Sequence, residues 1–488
     1  MKPKWYHILP IFLMVGLFAF LLNFLPLNQT EPIPQNLPRI DITLNDTTLS
    51  TILTNSKEIK YPSNTLTLTE GDEVSTFDNV ELKGRGNSTW GWPKSPFQIK
   101  FDQKVDLFGM GAAKKYILLA NFLDKSNLRN DIAFKIEQML DMDYALEGQF
   151  VELYIDDEYQ GLYYLTEKIE IDKNRINLKE ELAIIVEVEN LHAATEDCYY
   201  TKENTCLVIH DLRSKDNEAL AMSSFMEDFN ALEQAAKAGD YDTVKDLADL
   251  DSFAKYYLLS EFTVNPDAYT SSYFFYKNGA SDKIHVSPGW DFDQSMGNRI
   301  WIWSPTEDFY SPDTSRVLER NAYGGTAYDE ASDTFVEIQA DTSVSRLMYH
   351  LIHIPMFAQK VSDIYRQYLA GHKDAFLRQL AITSSTIYKS AIEDKEKWRA
   401  TDPIVLHNLG LLEKPLSVTE LLDEDSVFTP QQEIVDDAED DILHSGFSAK
   451  EAYDTELNNL FNWVSRRFDY LEREYGTYNL LPLNVVKS

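Results

Sequence analysis

Cysteine and positive charge are what this sequence has least of. It contains only two cysteines, Cys198 and Cys206, so a disulfide framework and a cysteine-based zinc ribbon or cluster are excluded. Lysine and arginine number 45 against 79 acidic residues, which gives a net charge of −34. Because nucleic-acid binding needs cations that neutralise phosphates, this balance argues against a nucleic-acid partner.

Several common catalytic motifs are also missing. The sequence has no G-x-S-x-G and no H-E-x-x-H, which disfavours a hydrolase, and it has no complete G-x-G-x-x-G. What it does have is 488 residues, of which 44% are hydrophobic and 12% aromatic. A chain of this length and composition folds and can bury a large core without covalent staples.

The longest hydrophobic run lies near the N-terminus. Residues 8–27 carry no charge, and their number is about that needed to cross a ~30 Å hydrocarbon core. Lys2 and Lys4 precede the run, so the positive-inside rule predicts a cytoplasmic tail at 1–7, a single membrane anchor, a linker at 28–38 and an extracytoplasmic remainder. A cleaved signal peptide is the alternative, although no small-x-small site follows. In that oxidising setting the two cysteines either close a small loop or stay as thiols.

The patterning beyond the linker predicts an α+β protein. Short alternating apolar segments, separated by Gly, Pro, Asn or Asp, predict a β-rich lobe over 39–190. Apolar residues at helical spacing predict a helix-rich lobe over 191–475, with a hairpin inside it at 272–287. Residues 476–488 are predicted to be a tail.

Two cationic side chains occur in an early polar segment. Arg85 lies between two glycines, which permit close backbone approach to a ligand. Lys100 alternates with Phe97, Ile99 and Phe101, so on a strand its side chain points away from the core, into solvent or into a cleft. A surface lysine is the simpler interpretation, and a phosphate-binding lysine is the functional one.

Three acidic side chains follow at the ends of predicted elements. Asp267 lies in a turn between a helix and a strand, and Asp291 and Asp293 lie one aromatic residue apart after a strand. Mg²⁺ takes one or two carboxylates plus phosphate oxygens, so the Asp pair is typical of a hard-cation site, whereas closing a turn is the structural alternative. Kinase-type phosphoryl transfer uses residues in the same sequence order: first a lysine, then an acid in a loop, then a metal-binding Asp turn.

Four ordered segments resemble the landmarks of the spore-coat protein H (CotH) kinase family. They read RGNSTWGWPKSPFQIKF, LLANFLDKSNLRND, VELYIDDEYQGLYYLTEKIEID and PGWDFDQSMGN, and the resemblance spans roughly residues 80–300 and continues through the helices to about 475. It implies a distorted protein-kinase-like fold that uses ATP with Mg²⁺ or Mn²⁺. It also implies Ser/Thr phosphorylation of coat or cell-envelope proteins.

The resemblance also implies roles for individual residues. Lys100 would hold the ATP phosphates and pair with Glu167, and Arg85 would line the nucleotide cleft. Asp267 would be the catalytic-loop acid, as its place before Asp291 suggests.

The metal site follows the family less closely. Asp291 would ligate the metal, with Asp293 in support. Kinases carry a metal-binding Asn five residues after the catalytic-loop acid, and this chain has Ser272 there. A hydroxyl is a weaker Mg²⁺ ligand, which puts the second metal position in doubt. A non-catalytic coat or envelope scaffold with a kinase-like fold is therefore the alternative function.

Overall fold

The computed structural model describes residues 37–190, 193–194, 196–298, 311–315, 326–329, 334–337, 345–398 and 448–476. The predicted membrane anchor at 8–27 lies outside these residues. Within the described ranges, no helix combines the length and the apolar character that a bilayer crossing requires.

Seven strands form a closed barrel at the start of the described chain. In chain order, β1 to β7 are Arg39–Thr43, Lys60–Glu70, Glu73–Gly84, Phe97–Val105, Ala113–Leu119, Gly148–Ile155 and Glu158–Glu167. Their order around the barrel is β1-β2-β3-β4-β5-β7-β6. β6 closes the barrel by pairing parallel to β1, and the other neighbours are antiparallel.

The alternation seen in the sequence places one face of each strand inside this barrel. On β4, Phe97, Ile99 and Phe101 are buried in the barrel core, as predicted. The β6–β7 hairpin turns at Asp156 and Asp157, both of which have positive φ, at 50° and 65°. Two positive φ values in a two-residue loop match the right-handed twist of the flanking strands.

A second sheet of five strands follows the barrel. The strands β8 to β12 are Ala183–Val188, Tyr199–Tyr200, Cys206–Leu212, Tyr273–Asn278 and His285–Val286. Their order is β12-β11-β8-β10-β9, and all pairs are antiparallel. The sequence predicted the β11–β12 hairpin but not β9 and β10. A further two-stranded sheet pairs Thr326–Asp329 (β13) with Thr334–Glu337 (β14).

The two cysteines form a disulfide. Cys198 and Cys206 are bonded with their Cα atoms 5.1 Å apart, which joins the segment before β9 to the start of β10. The alternative that the sequence left open is resolved in favour of the closed loop.

Helices dominate the rest of the chain. In chain order, α1 to α9 are Leu49–Thr54, Arg129–Met139, Glu218–Ala238, Tyr241–Leu247, Leu250–Thr263, Leu347–Ile352, Pro355–Tyr368, Lys373–Trp398 and Ala449–Leu471. A single large core gathers apolar residues of helices α2 to α9 and of the second sheet. It is separate from the core inside the barrel, to which α1 contributes. The α+β class and the β-first, helix-later order are confirmed.

The C-terminal helix α9 is held against α5 by a fully buried arginine. Arg467 donates two hydrogen bonds to the backbone carbonyl of Glu261, and its Nη2 lies 3.3 Å from the Glu261 carboxylate. Its Nη1 donates to the carbonyls of Pro312 and Thr314 at 2.8 and 2.5 Å. Both charged side chains are 0% exposed, so each depends on the other for compensation.

Replacing Arg467 with Met is expected to lower the free energy of unfolding by about 3–5 kcal/mol, because Glu261 would stay buried without its cation. Urea denaturation measures the loss. The matched control is Arg466→Met: Arg466 pairs with Asp313 at the surface, where the side chains are 59% and 43% exposed, and it should cost less than about 1 kcal/mol. Equal losses in the two variants would contradict a special role for the buried pair.

Candidate active site

One cavity of about 330 Å³, which we call the central pocket, is where most of the predicted site residues meet. It is lined by the segment between β3 and β4, the loop after β5, strands β8 and β10, the loop after α5 and the loop after β12. Five of the seven predicted residues line it: Arg85, Asp267, Ser272, Asp291 and Asp293. Residues far apart in sequence therefore form a single polar site.

Lys100 does not line the central pocket. It points away from the barrel core, as the alternation predicted, but its Nζ lies 3.8 Å from the carboxylate of Glu81 on the neighbouring strand β3, and it is 38% exposed. The structure therefore has the simpler of the two arrangements, a surface lysine, which here forms an ion pair.

Glu167 also lies outside the central pocket, and its expected pairing with Lys100 is wrong. On β7 it is opposite Tyr116, which is in turn opposite Ile99, a residue of the barrel core. Lys100 follows Ile99 in sequence and therefore lies on the other face of the sheet. The partner of Glu167 is Arg175, whose Nη1 lies 2.8 Å from the Glu167 carboxylate.

The loop that carries Asp267 begins where α5 ends. Val264 takes a left-handed conformation with φ of 47°, which is costly for a β-branched residue and is most often found at functional sites. The side chain of Asn265 then joins two loops: its Oδ1 accepts from the Asp267 N–H at 3.1 Å, and its Nδ2 donates to the Asp291 carbonyl at 2.9 Å. Asn265 thereby sets the spacing between the two acids.

The loop that carries Asp291 and Asp293 is held by its backbone. On α2, the Glu137 carboxylate accepts from the Gly289 N–H at 2.9 Å, and Asn130 Oδ1 accepts from the Phe292 N–H at 3.0 Å. Asn298 Nδ2 donates to the Asp293 carbonyl at 2.7 Å. Because these bonds use main-chain groups, the two carboxylates are left to face the pocket.

The acids of the pocket repel one another. Burial raises the pKa of Asp293 well above its usual range, and the nearby charges of Asp291, Asp124 and Asp267 raise it further. The Asp291 side chain also acts on Asp293 as a hydrogen-bond partner, which raises the pKa in the same direction. A divalent cation bound by these carboxylates would relieve their repulsion.

The donor set fits a metal that is held only in part by protein. Across the residues that the structure describes, no three His, Cys, Asp or Glu side chains are grouped so as to hold a metal ion. Mg²⁺ usually keeps waters and binds through one or two carboxylates plus substrate phosphates. Asp291 and Asp293 supply the two carboxylates, and the hydroxyl of Ser272 lines the same pocket.

Two cations, Arg85 and Lys94, line the same pocket, and Lys94 is paired with Asp394 at 2.7 Å, which leaves Arg85 to face the aspartates. Its guanidinium lies 4.8 Å from the centroid of the Trp290 ring, and in the described part of the chain it makes no hydrogen bond or ion pair. Burial lowers the pKa of Arg85 to about 10, against the attraction of Asp291 and Glu187, so it is charged at neutral pH. A guanidinium with unused donors beside a metal-type carboxylate pair suits a phosphate.

Two residues of the pocket wall were not predicted as site residues. Glu187 on β8 lies 3.0 Å from Nδ1 of His210 on β10, and His210 Nε2 lies 3.1 Å from the carbonyl of Ile169. His210 thereby joins β10 to β8 and to the segment that follows β7. Glu187 had one sequence signal, its place on the polar face of an apolar strand, whereas His210 had none.

A comparison with known proteins identifies a family that covers all the residues of this pocket. The family model described as CotH kinase protein matches residues 82–471, from within β3 to the last residue of α9. No curated protein matches the chain.

The environment of Glu167 makes a pH dependence measurable. Burial raises the pKa of Glu167 from 4.5 to about 7, despite the opposing charge of Arg175. The folded state therefore holds a proton that the unfolded state has lost, and the stability that this proton provides is lost as pH rises from about 4.5 to about 7. Over this pH range, the free energy of unfolding of the wild-type chain should fall by up to about 3 kcal/mol relative to that of Glu167→Gln.

Urea unfolding at a series of pH values measures the difference. Glu158→Gln is the matched control, because Glu158 lies at the other end of β7 with a side chain that is 70% exposed. The difference in unfolding free energy between this variant and the wild type should not change with pH. A flat profile for Glu167→Gln as well would contradict a raised pKa at this position.

Proposed function

The chain belongs to the CotH kinase family, and from that premise we propose that it is an ATP-dependent protein kinase with a kinase-like fold that phosphorylates Ser or Thr residues of a coat or cell-envelope protein. The observation that carries the proposal is the convergence of three aspartates and one arginine in the central pocket, where the guanidinium has no ion-pair partner among the described residues. Phosphoryl transfer needs this combination, because it depends on positioning and charge stabilisation more than on covalent chemistry.

Asp291 and Asp293 would hold Mg²⁺ or Mn²⁺. The metal, when bound, neutralises charge on the phosphates. The chain's own contribution is the rigid backbone of the loop, since Glu137 and Asn130 fix its amides and leave the carboxylates at the pocket. Ser272 is the proposed additional oxygen ligand.

Arg85 takes the phosphate-binding role that the sequence assigned to Lys100. Its guanidinium has donors to spare and stacks on Trp290, which holds it in place beside Asp291. An arginine binds phosphate through two parallel hydrogen bonds, whereas a lysine acts as a point charge.

Asp267 would orient the attacking hydroxyl and accept its proton. As the Ser or Thr oxygen bonds to the γ-phosphorus, the bond to the ADP oxygen breaks, and the hydroxyl proton passes to the Asp267 carboxylate. Asn265 keeps this carboxylate at a fixed distance from the metal-binding loop, because the same side chain bonds both segments.

The protein substrate and the compartment belong to the same proposal. A single anchor at 8–27 would hold the catalytic part outside the cytoplasmic membrane, where coat and envelope proteins lie. The closed Cys198–Cys206 loop supports this placement, since disulfides persist in oxidising compartments.

Asp291→Asn preserves shape and removes a charge. We expect ATP affinity measured with Mg²⁺ to fall to the value measured in EDTA, and phosphotransfer to fall by about 10²–10³. Asp242→Asn is the control: Asp242 is 84% exposed on α4 and should change neither. Full metal-dependent activity in Asp291→Asn would place the metal elsewhere.

Asp267→Asn tests the catalytic base. Turnover should fall by about 10²–10⁴ while ATP binding and Tm are kept. Asp240→Ala is the control for a merely structural acid, because Asp240 caps α4 by accepting from the Thr243 N–H. This variant should lower Tm and spare turnover. Phosphotransfer at wild-type rate by Asp267→Asn would refute the mechanism, and absence of transfer by the wild-type chain would favour a non-catalytic scaffold.

A further inference from the structure

A second cavity, of about 210 Å³, adjoins the central pocket. The two cavities share six lining residues, among them Arg85, His210 and Trp290. Asp267 and Asp291 line the central pocket alone. Arg85 and Trp290 therefore lie at a boundary, with the catalytic acids on one side and the second cavity on the other.

The second cavity is cationic. Lys57, Lys83 and Lys168 line it together with Arg85, and of the described residues Glu58 is its only acid. We call it the basic pocket. Four fixed positive charges around one small cavity are unexpected in a chain whose net charge is −34.

Little of this charge is neutralised. Lys57 donates to the neutral amide oxygen of Asn87 at 2.7 Å. Lys83 lies 3.3 Å from Glu58, but the Glu58 side chain is 69% exposed, and such pairs are weak in water. Lys57 and Lys83 therefore keep most of their capacity for another anion.

Lys168 also has no close carboxylate partner among the described residues. Lys168 Nζ donates to the carbonyl of Ile169 at 3.2 Å, and its nearest carboxylate, that of Glu170, is 4.0 Å away. Burial lowers the pKa of Lys168, and the positive charges of Lys115 and Arg85 lower it further against the attraction of Glu170. The pocket wall thus brings cations together against their mutual repulsion, which a bound anion would relieve.

We propose that the basic pocket binds a phosphate group beside the catalytic acids. The ligand chemistry follows from the donors: several lysines and one arginine around a small cavity match the charge and the oxygen count of a phosphate. Two sources carry this chemistry, a phosphorylated residue of the protein substrate and the phosphates of the nucleotide. The assignment of these sources rests on the proposed kinase function, whereas the binding of phosphate does not.

The test is isothermal titration of the full-length chain in detergent with two ligand pairs. One pair is a short Gly-Ala peptide that contains phosphoserine and the same peptide with serine. The other is a non-hydrolysable ATP analogue with Mg²⁺ and adenosine. The variants are Lys57→Gln and Lys168→Gln, and the matched control is Lys104→Gln, a barrel lysine that pairs with Asp172 and does not line the basic pocket. Thermal melts verify folding. Lys57→Gln keeps the test valid if Lys168→Gln does not fold, because Lys57 is only half-buried and its hydrogen bond goes to a neutral amide.

Loss of one charge-assisted hydrogen bond should weaken binding by about tenfold or more. If the phosphate comes from the substrate, both variants lose affinity for the phosphoserine peptide and keep their affinity for the serine peptide. If it comes from the nucleotide, they lose affinity for the ATP analogue and keep that for adenosine. Losses in both arms would mean that the pocket accepts either source.

Unchanged affinity for both phosphate ligands in Lys57→Gln and Lys168→Gln would overturn the proposal, as would an equal loss in Lys104→Gln. The titrations measure binding only, and phosphotransfer is measured separately to distinguish this proposal from the proposed function. A chain that binds phosphoserine through these lysines but transfers no phosphate would refute the proposed function and leave the phosphate subsite standing. A chain that transfers phosphate, and whose two lysine variants bind both phosphate ligands as the wild type does, would refute the phosphate subsite and leave the proposed function standing.

Discussion

Arg129, the first residue of α2, joins three segments that are far apart in the sequence. Its guanidinium lies 2.6 Å from the Asp124 carboxylate and 2.7 Å from that of Glu456 on α9, and its Nε donates to the Ser295 carbonyl at 2.8 Å. A guanidinium that is 2% exposed needs all of these partners, because a buried charge without compensation is costly. The start of α2, the loop after β12 and the C-terminal helix therefore hold one another in place.

The same helix determines how the metal-type acids are presented. Beyond Arg129, α2 offers Asn130 and Glu137 to the backbone of the loop after β12, and each accepts from a main-chain amide. A loop fixed through its backbone can bring like charges together, because the geometry does not depend on the carboxylates themselves. The cost of that crowding appears at Asp293, whose pKa is raised by burial and by its acidic neighbours. This combination of rigidity and repulsion suits a site that is completed by a cation and a phosphate.

Charge is separated across the pocket region. Acids gather on one side of Arg85 and Trp290, and lysines gather on the other side. In a chain with such an excess of acidic residues, a cavity lined by several cations has a local positive potential that attracts anions. Arg85 takes part in both proposals, the transfer site and the phosphate subsite, because its guanidinium lines both cavities and has donors left over.

The sequence by itself determined the local elements and the acids. Alternation of period two in β4 and helical spacing in α3 and α5 are local signals, and Asp267 and Asp291 were recognisable because polar residues at element ends are not required by the core. Only the tertiary structure decided which cation joins these acids, because the strand register sends Lys100 and Glu167 to opposite faces of the barrel wall while Arg85 reaches the pocket. Register, sheet order and buried ion pairs arise from contacts between distant segments, and a one-dimensional pattern carries no record of those distances.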